Sequence, residues 1–137
     1  MRALGIGLVP FSPLGRGFLT GAIATPADLA EDDWRRQLPR FEADNLAHNR
    51  TLVRRLEAMA AKHDATAAQL ALAWVLAQGE DIVPIPGTTR PERVGENARA
   101  ATIELSPDEL EHLADLFAPE AVAGERLAES GMGLVDR

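Results

Sequence analysis

The chain has no cysteine, no tyrosine and one lysine, Lys62. Without cysteine there are no disulfide staples, no thiolate metal sites and no cysteine nucleophile. A single lysine leaves little room for any mechanism that needs an amine. Long apolar runs are also missing: the longest unbroken stretch, Leu70 to Ala77, is far short of the ~20 residues that span a bilayer. Positive charge is scarce, with 14 Lys and Arg against 21 Asp and Glu and a net charge of −7. That balance argues against a general nucleic-acid or anionic-membrane surface. Met1 to Gly5 leads into a glycine-punctuated apolar segment where a signal peptide would place its apolar stretch, so a soluble cytoplasmic chain is expected.

What is present is enough for one packed domain: 137 residues, 46% hydrophobic and 26% charged. Ile6 to Phe11 is a short apolar run between Gly5 and Ser12-Pro13, with Pro10 near its end, the pattern of a strand buried on both faces. An irregular stretch from Ser12 to about Asn45 follows, long enough to be either a functional loop or a solvated insertion. Asn49 is expected to cap a helix running to about Lys62, with Leu52, Val53, Leu56, Met59 and Ala60 on one stripe. Thr66 and Gln69 form a capping box for a second helix ending at Gly79, apolar nearly all round and so expected to be buried between layers. Ile82 to Pro86 reads as a second strand. Pro91 opens a helix to about Ala100, and Ser106-Pro107-Asp108-Glu109 opens a last one. The tail 119–137 is expected to be loosely held.

Strand, loop, helices, strand, turn, helices is the order of parallel strands with helical crossovers. Two strands do not make an independent parallel sheet, so the pattern is that of part of a larger α/β architecture.

Two stretches are candidates for chemistry. Ser12-Pro13-Leu14-Gly15-Arg16-Gly17 follows a strand, and its glycines let backbone N–H groups approach a phosphate; an ordinary tight turn fits as well. A doubly wound dinucleotide fold is excluded, because Asp32 and Asp33 follow no apolar run that could be its second strand. Gly87-Thr88-Thr89-Arg90 places hydroxyls and backbone donors at a helix N-terminus, a suitable anion site. Arg93, Glu96 and Asn97 lie at i, i+3 and i+4 and share a face. They can either stack on and hydrogen-bond an adenine or form a plain surface ion pair with Asn97 idle. His48, His63 and His112 show no metal-binding spacing and are expected at caps or on the surface.

Gly5 to Gly21, Ala68 to Leu76, and Ile85-Pro86-Gly87-Thr88 through Glu96-Asn97 closely resemble the aldo-keto reductases, over about Gly5 to Leu116 and in the family order. The resemblance implies the C-terminal portion of a (β/α)8 TIM barrel: two short parallel strands and mostly helical content in residues 1–118. Asp33 to Phe41 resembles the bacterial branch that reduces small aldehydes. The resemblance also implies site residues for an NADP (NADPH) cofactor. Ser12, Leu14, Gly15 and Arg16 match the loop that holds its pyrophosphate and ribose, and Phe11 the aromatic that stacks on its nicotinamide. Thr88 and Thr89 match positions around the 2′-phosphate, Arg93 the arginine over adenine and 2′-phosphate, and Glu96 and Asn97 the adenine partners. Gly87 stands where many members carry lysine, leaving Arg90 and Arg93 to supply the charge. The family protonates a carbonyl with a tyrosine tuned by a lysine–aspartate pair and helped by a histidine. This chain has no tyrosine, so its catalytic tetrad is expected on strands preceding Met1, and autonomous carbonyl reduction is not expected. A small carbonyl substrate would need that missing half. The other reading is a non-catalytic nucleotide-binding remnant or interaction module. Strand edges left unpaired by either reading favour self-association.

Overall fold

The computed structural model describes residues 1–128, 131 and 133. Four α-helices carry the fold: α1 (Ala43–Ala60), α2 (Ala67–Leu76), α3 (Pro91–Ala98) and α4 (Pro107–Leu116). The two capping boxes form as their sequences require. Thr66 accepts from the Gln69 N–H while the Gln69 side chain accepts from the Thr66 N–H, and Ser106 and Glu109 do the same for α4. Each cap satisfies two backbone donors that a helix start leaves open.

Helix α1 starts well before Asn49, at Ala43 with Glu42 as its N-cap, so the expected cap is corrected. Leu46 and Asn49 continue the stripe of Leu52, Val53 and Leu56 at helical spacing, and burial of that longer stripe extends the helix backward. Asn49 is a buried mid-helix residue, not a terminus.

The main core joins Leu52, Leu56 and Met59 of α1, Leu70 and Ala71 of α2, and Leu113 and Leu116 of α4. Residues Ala67 to Ala73 of α2 are all buried, as an all-round apolar helix requires. Each fully buried leucine is worth about 1.5–3 kcal/mol. The stretch from Ser12 to Asn45 is not shapeless. Short 3-10 turns at Gly15–Thr20, Pro26–Asp28, Trp34–Gln37 and Pro39–Phe41 wrap a second core of Ile23, Leu29, Leu38, Phe41 and Leu46. Phe18 meets Phe41 edge to face, with ring centres 6.0 Å apart.

The two expected strands, Ile6–Phe11 and Ile82–Pro86, are a correction. No strand forms among the described residues; the segments meet at two isolated parallel bridges, Leu8 with Ile82 and Phe11 with Ile85. The Leu8 N–H donates to the Asp81 carbonyl at 2.7 Å, Val83 to Leu8 at 2.9 Å and Ile85 to Pro10 at 3.3 Å. Pro10, Pro84 and Pro86 have no N–H to extend the ladder, and a pair without further neighbours is marginal. The direction is parallel, as expected. Leu8, Val83 and Ile85 remain 40%, 57% and 53% exposed.

Residues 119–128 are tied to α1. The Asn49 amide donates to the Ala123 carbonyl and accepts from its N–H, both at 2.8 Å, while His48 Nε2 meets the Ala121 carbonyl at 2.9 Å. The rest of the tail expected to be loose lies largely outside the described residues.

Candidate functional site

The parallel direction of the bridges sets the site. Phe11 and Ile85 are opposite each other, so the chain leaves both segments at the same end, into Ser12–Gly17 on one side and Gly87–Arg90 on the other. The two candidate stretches therefore share one edge of the molecule.

Backbone conformation in the first stretch is unusual. Ser12, Gly15, Arg16 and Gly17 have φ of 50°, 57°, 59° and 91°, and Asp64 is the only other non-glycine residue with positive φ among the described residues. Left-handed conformations cost a side-chain-bearing residue roughly 1–2 kcal/mol, so something must hold Ser12 and Arg16 there. For Arg16 the holder is Arg35, whose Nη1 donates to the Arg16 carbonyl at 2.8 Å. Arg35 is itself fixed by Asp33, which takes Nη2 at 2.6 Å and Nε at 3.0 Å and also caps the 3-10 turn through the Arg35 N–H. The guanidinium and N–H of Arg35 hold the Asp33 carboxyl down at about 2. A Cβ on Gly17 would meet Arg35 Nη1 at 3.3 Å, so glycine there lets the buttress approach. The Arg16 guanidinium lies over the Trp34 ring, 5.4 Å from its centre.

Leu14 packs against the main core and anchors the loop from below. Ser12 and Phe11 are exposed, and the Arg126 guanidinium lies 5.1 Å over the Phe11 ring. A cleft of about 440 Å³ opens beside the loop; Ser12, Gly15 and Arg16 line it, and none of Gly87 to Asn97 does.

On the second stretch, Thr88, Thr89 and Arg90 are exposed, and the Thr88 hydroxyl accepts from the Arg90 N–H at 3.1 Å just before α3. Gly87 has open space around its Cα. Arg93 Nη1 donates to both Glu96 carboxylate oxygens, at 2.9 and 2.7 Å. The Thr66 hydroxyl donates to Glu96 at 3.2 Å, and the Gln69 amide holds the Glu96 carbonyl at 2.8 Å. The face is thus an ion pair braced by the start of α2. Asn97 sits beside it, half-buried, with no side-chain hydrogen bond among the described residues. The structure brings Arg93, Glu96 and Asn97 onto one face and leaves them apart from the cleft that Ser12 and Arg16 line.

Sequence reasoning missed Trp34, Arg35, Arg40 and Arg126, all of which gather around the first loop. Only the Asp33-Trp34-Arg35 run carried a local signal, an aspartate placed to cap a turn and to hold an arginine two positions on. No cluster of His, Asp or Glu among the described residues has the arrangement of a metal site, and no helix among them is long and apolar enough to cross a membrane.

With these loops in place, the family is clear: the model described as "Aldo/keto reductase family" matches residues 1–117, and the chain belongs to that family. It is 46% identical over 125 residues to "Probable aldo-keto reductase 1" of Glycine max, covering 91% of this chain and 36% of that protein. It is 41% identical over 135 residues to "Aldo-keto reductase str7" of Strobilurus tenacellus, covering 98% and 40%. A crystal structure of the thermostable aldo-keto reductase Tm1743 with the inhibitor epalrestat superposes with a TM-score of 0.55 at 31% identity, over 82% of this chain and 30% of that one. The chain spans less than half the length of the curated relatives it matches.

Proposed function

We propose that the chain is the cofactor-holding, C-terminal portion of an NADP-dependent aldo-keto reductase acting on small aldehydes or ketones, in the cytoplasm. The observation that carries this reading is the shared edge. Two loops of the type that holds phosphates leave a parallel pair at the same end, one held left-handed at Ser12 and Arg16, the other presenting Thr88, Thr89 and Arg90 at the start of α3. Successive N–H groups in such a loop form a concave anion site, and a helix start adds its dipole.

The residues fit a dinucleotide phosphate. Ser12, Gly15 and Arg16 would hold the pyrophosphate, with Arg35 keeping the loop in shape. Thr88, Thr89 and Arg90 supply donors for the 2′-phosphate. Arg93 offers its guanidinium to the adenine and the 2′-phosphate while Glu96 holds it in orientation, and Asn97 has its side-chain amide free to bond the base edge. Phe11 offers a ring to the nicotinamide. The nicotinamide, when bound, supplies the hydride for the carbonyl. No tyrosine in this chain can supply the proton. Steady-state NADPH oxidation by this chain with a panel of aldehydes is therefore expected to stay far below ~1 s⁻¹, an ordinary enzyme rate.

Calorimetric titration tests the reading. NADPH is expected to bind more tightly than NADH, and Arg93→Ala to cost NADPH about 1.5–3 kcal/mol, more than it costs NADH. Equal losses would leave Arg93 to the adenine alone. No binding of either cofactor would favour the second reading, an interaction module that kept the helices.

A further inference from the structure

The cleft beside the loop has a second property that cofactor binding does not use. Its walls are apolar, from Phe18, Leu52, Trp74, Leu113, Phe117 and Val122. Its rim carries three guanidiniums from distant parts of the chain: Arg16 on the loop, Arg40 just before α1 and Arg126 on the tail.

The three are built in. Arg16 Nη1 donates to the Arg126 carbonyl at 2.8 Å, and Arg40 Nε donates to the Gly124 carbonyl at 3.2 Å. The tail segment that holds both carbonyls is clamped in turn by Asn49. None of the three makes an ion pair with a carboxylate of the described residues, whereas Arg2, Arg35, Arg50 and Arg93 each have one. Burial, and then Arg126, pull Arg16 below its ordinary pKa; burial, Arg126 and Arg16 do the same to Arg40, with Glu125 offsetting a part. Mutual repulsion is thus left standing at the mouth of an apolar cavity, and an anion would relieve it.

We propose that this cleft is a binding site for a small amphiphilic carboxylate, its apolar body among the aromatic and leucine side chains and its carboxylate on the Arg16, Arg40 and Arg126 rim. A volume of about 440 Å³ lies in the range of small-molecule sites, and planar guanidiniums match a carboxylate in two-point geometry. A single negative charge suits the half-buried Arg16 and Arg40 better than a dianion, which costs more to strip of water. The site shares Ser12, Gly15 and Arg16 with the loop assigned to the cofactor, and of these Arg16 alone carries charge. Arg40 belongs to the cleft alone, while Arg126 also lies over the Phe11 ring, and the proposal does not depend on cofactor binding.

Calorimetry on the full chain with 4-phenylbutyrate and its uncharged amide, 4-phenylbutyramide, tests it. Saturable binding of the carboxylate is expected, with the amide weaker by about tenfold or more, the scale of a lost charge-assisted hydrogen bond. Arg126→Gln and Arg40→Gln should each remove most of that difference, and Arg40→Gln should leave NADPH affinity unchanged. Because Arg40 also holds the tail, Arg40→Lys is the companion variant: it keeps the charge and should retain part of the preference. Val75→Trp, which fills the cleft without touching charge, should abolish binding of both probes. Equal binding of acid and amide, or no saturable binding of the acid, overturns the proposal. So does a parallel loss of NADPH affinity in Arg40→Gln, which would make the rim part of the cofactor site.

Discussion

The helical core and the paired segments at Leu8–Phe11 and Ile82–Ile85 are built from equally apolar residues, yet one closes on itself and the other does not. Every residue from Ala67 to Ala73 is buried, with α1, the turn at Arg99–Thr102, the turn at Gly15–Thr20 and α3 packed against the helix. Leu8, Val83 and Ile85 are 40% exposed or more although both segments are hydrogen-bonded to each other. A helix satisfies its own backbone and asks neighbours only for side-chain contact. A strand needs neighbours for both, and prolines at 10, 84 and 86 remove the donors that might have extended this pair. Within the described residues, stability therefore resides in the helices, and the segments that carry the candidate site are held at their edges.

The sharpest way to break this comparison is truncation of one leucine from each region. Leu70→Ala, at a fully buried position, is expected to cost about 2–5 kcal/mol in urea unfolding, whereas Leu8→Ala should stay within about 0.5 kcal/mol. Comparable losses would mean that the paired segments bear load after all. Next in size is Asn49→Ala, which strands the Ala123 N–H and carbonyl and should cost about 1–3 kcal/mol. Limited proteolysis should then cut within 119–128 before it cuts α1, and unchanged protection there would place the tail's attachment elsewhere.

The smallest effect concerns the link between the end of α1 and the start of α4. His63 Nε2 lies 2.7 Å from Glu109, and the Ser106 N–H, with His63 and the Ser106 hydroxyl, holds the Glu109 carboxyl at about 2 against an ordinary 4.5. A carboxyl that is more acidic folded than unfolded stabilises the fold above its unfolded value. That stabilisation is lost as pH falls from about 4.5 towards 2. Melting temperature should fall more steeply across this window in the natural chain than in Glu109→Gln. Parallel curves would show that solvent screening has erased the link.

What was legible in the sequence was local. Both capping boxes, the proline starts of α3 and α4 and the buried α2 follow from residues within a few positions of each other. The α1 start was misread because Asn49 is a good cap by type, while the stripe through Leu46 needed the second core to show that it was buried. The spacing of Arg93 and Glu96 announced their contact, and the structure gives it as an ion pair. The arginine rim was invisible, because Arg16 and Arg126 are separated by 110 positions and neither stands in a patterned element. Strand formation was overread for a related reason: apolar runs record what a segment must bury, and the partner they need lies outside the run itself.

The pairing of the N-terminal segment with Asp81–Ile85 also has a consequence in time. Arg2 and Asp81, which clasp at 2.7 Å, are 79 positions apart, while α1 and α2 are joined by one short turn and make contact almost as soon as both exist. Closing a long loop is slow relative to local helix pairing, so the helical pair organises first and the clasp last. On a ribosome adding about 5–20 residues per second, Ile6 to Phe11 would wait roughly 4–16 s for the residues that pair with it. During that interval the segment lacks its Asp81–Ile85 partner, and Pro10 within it blunts the edge it would otherwise offer to other nascent chains.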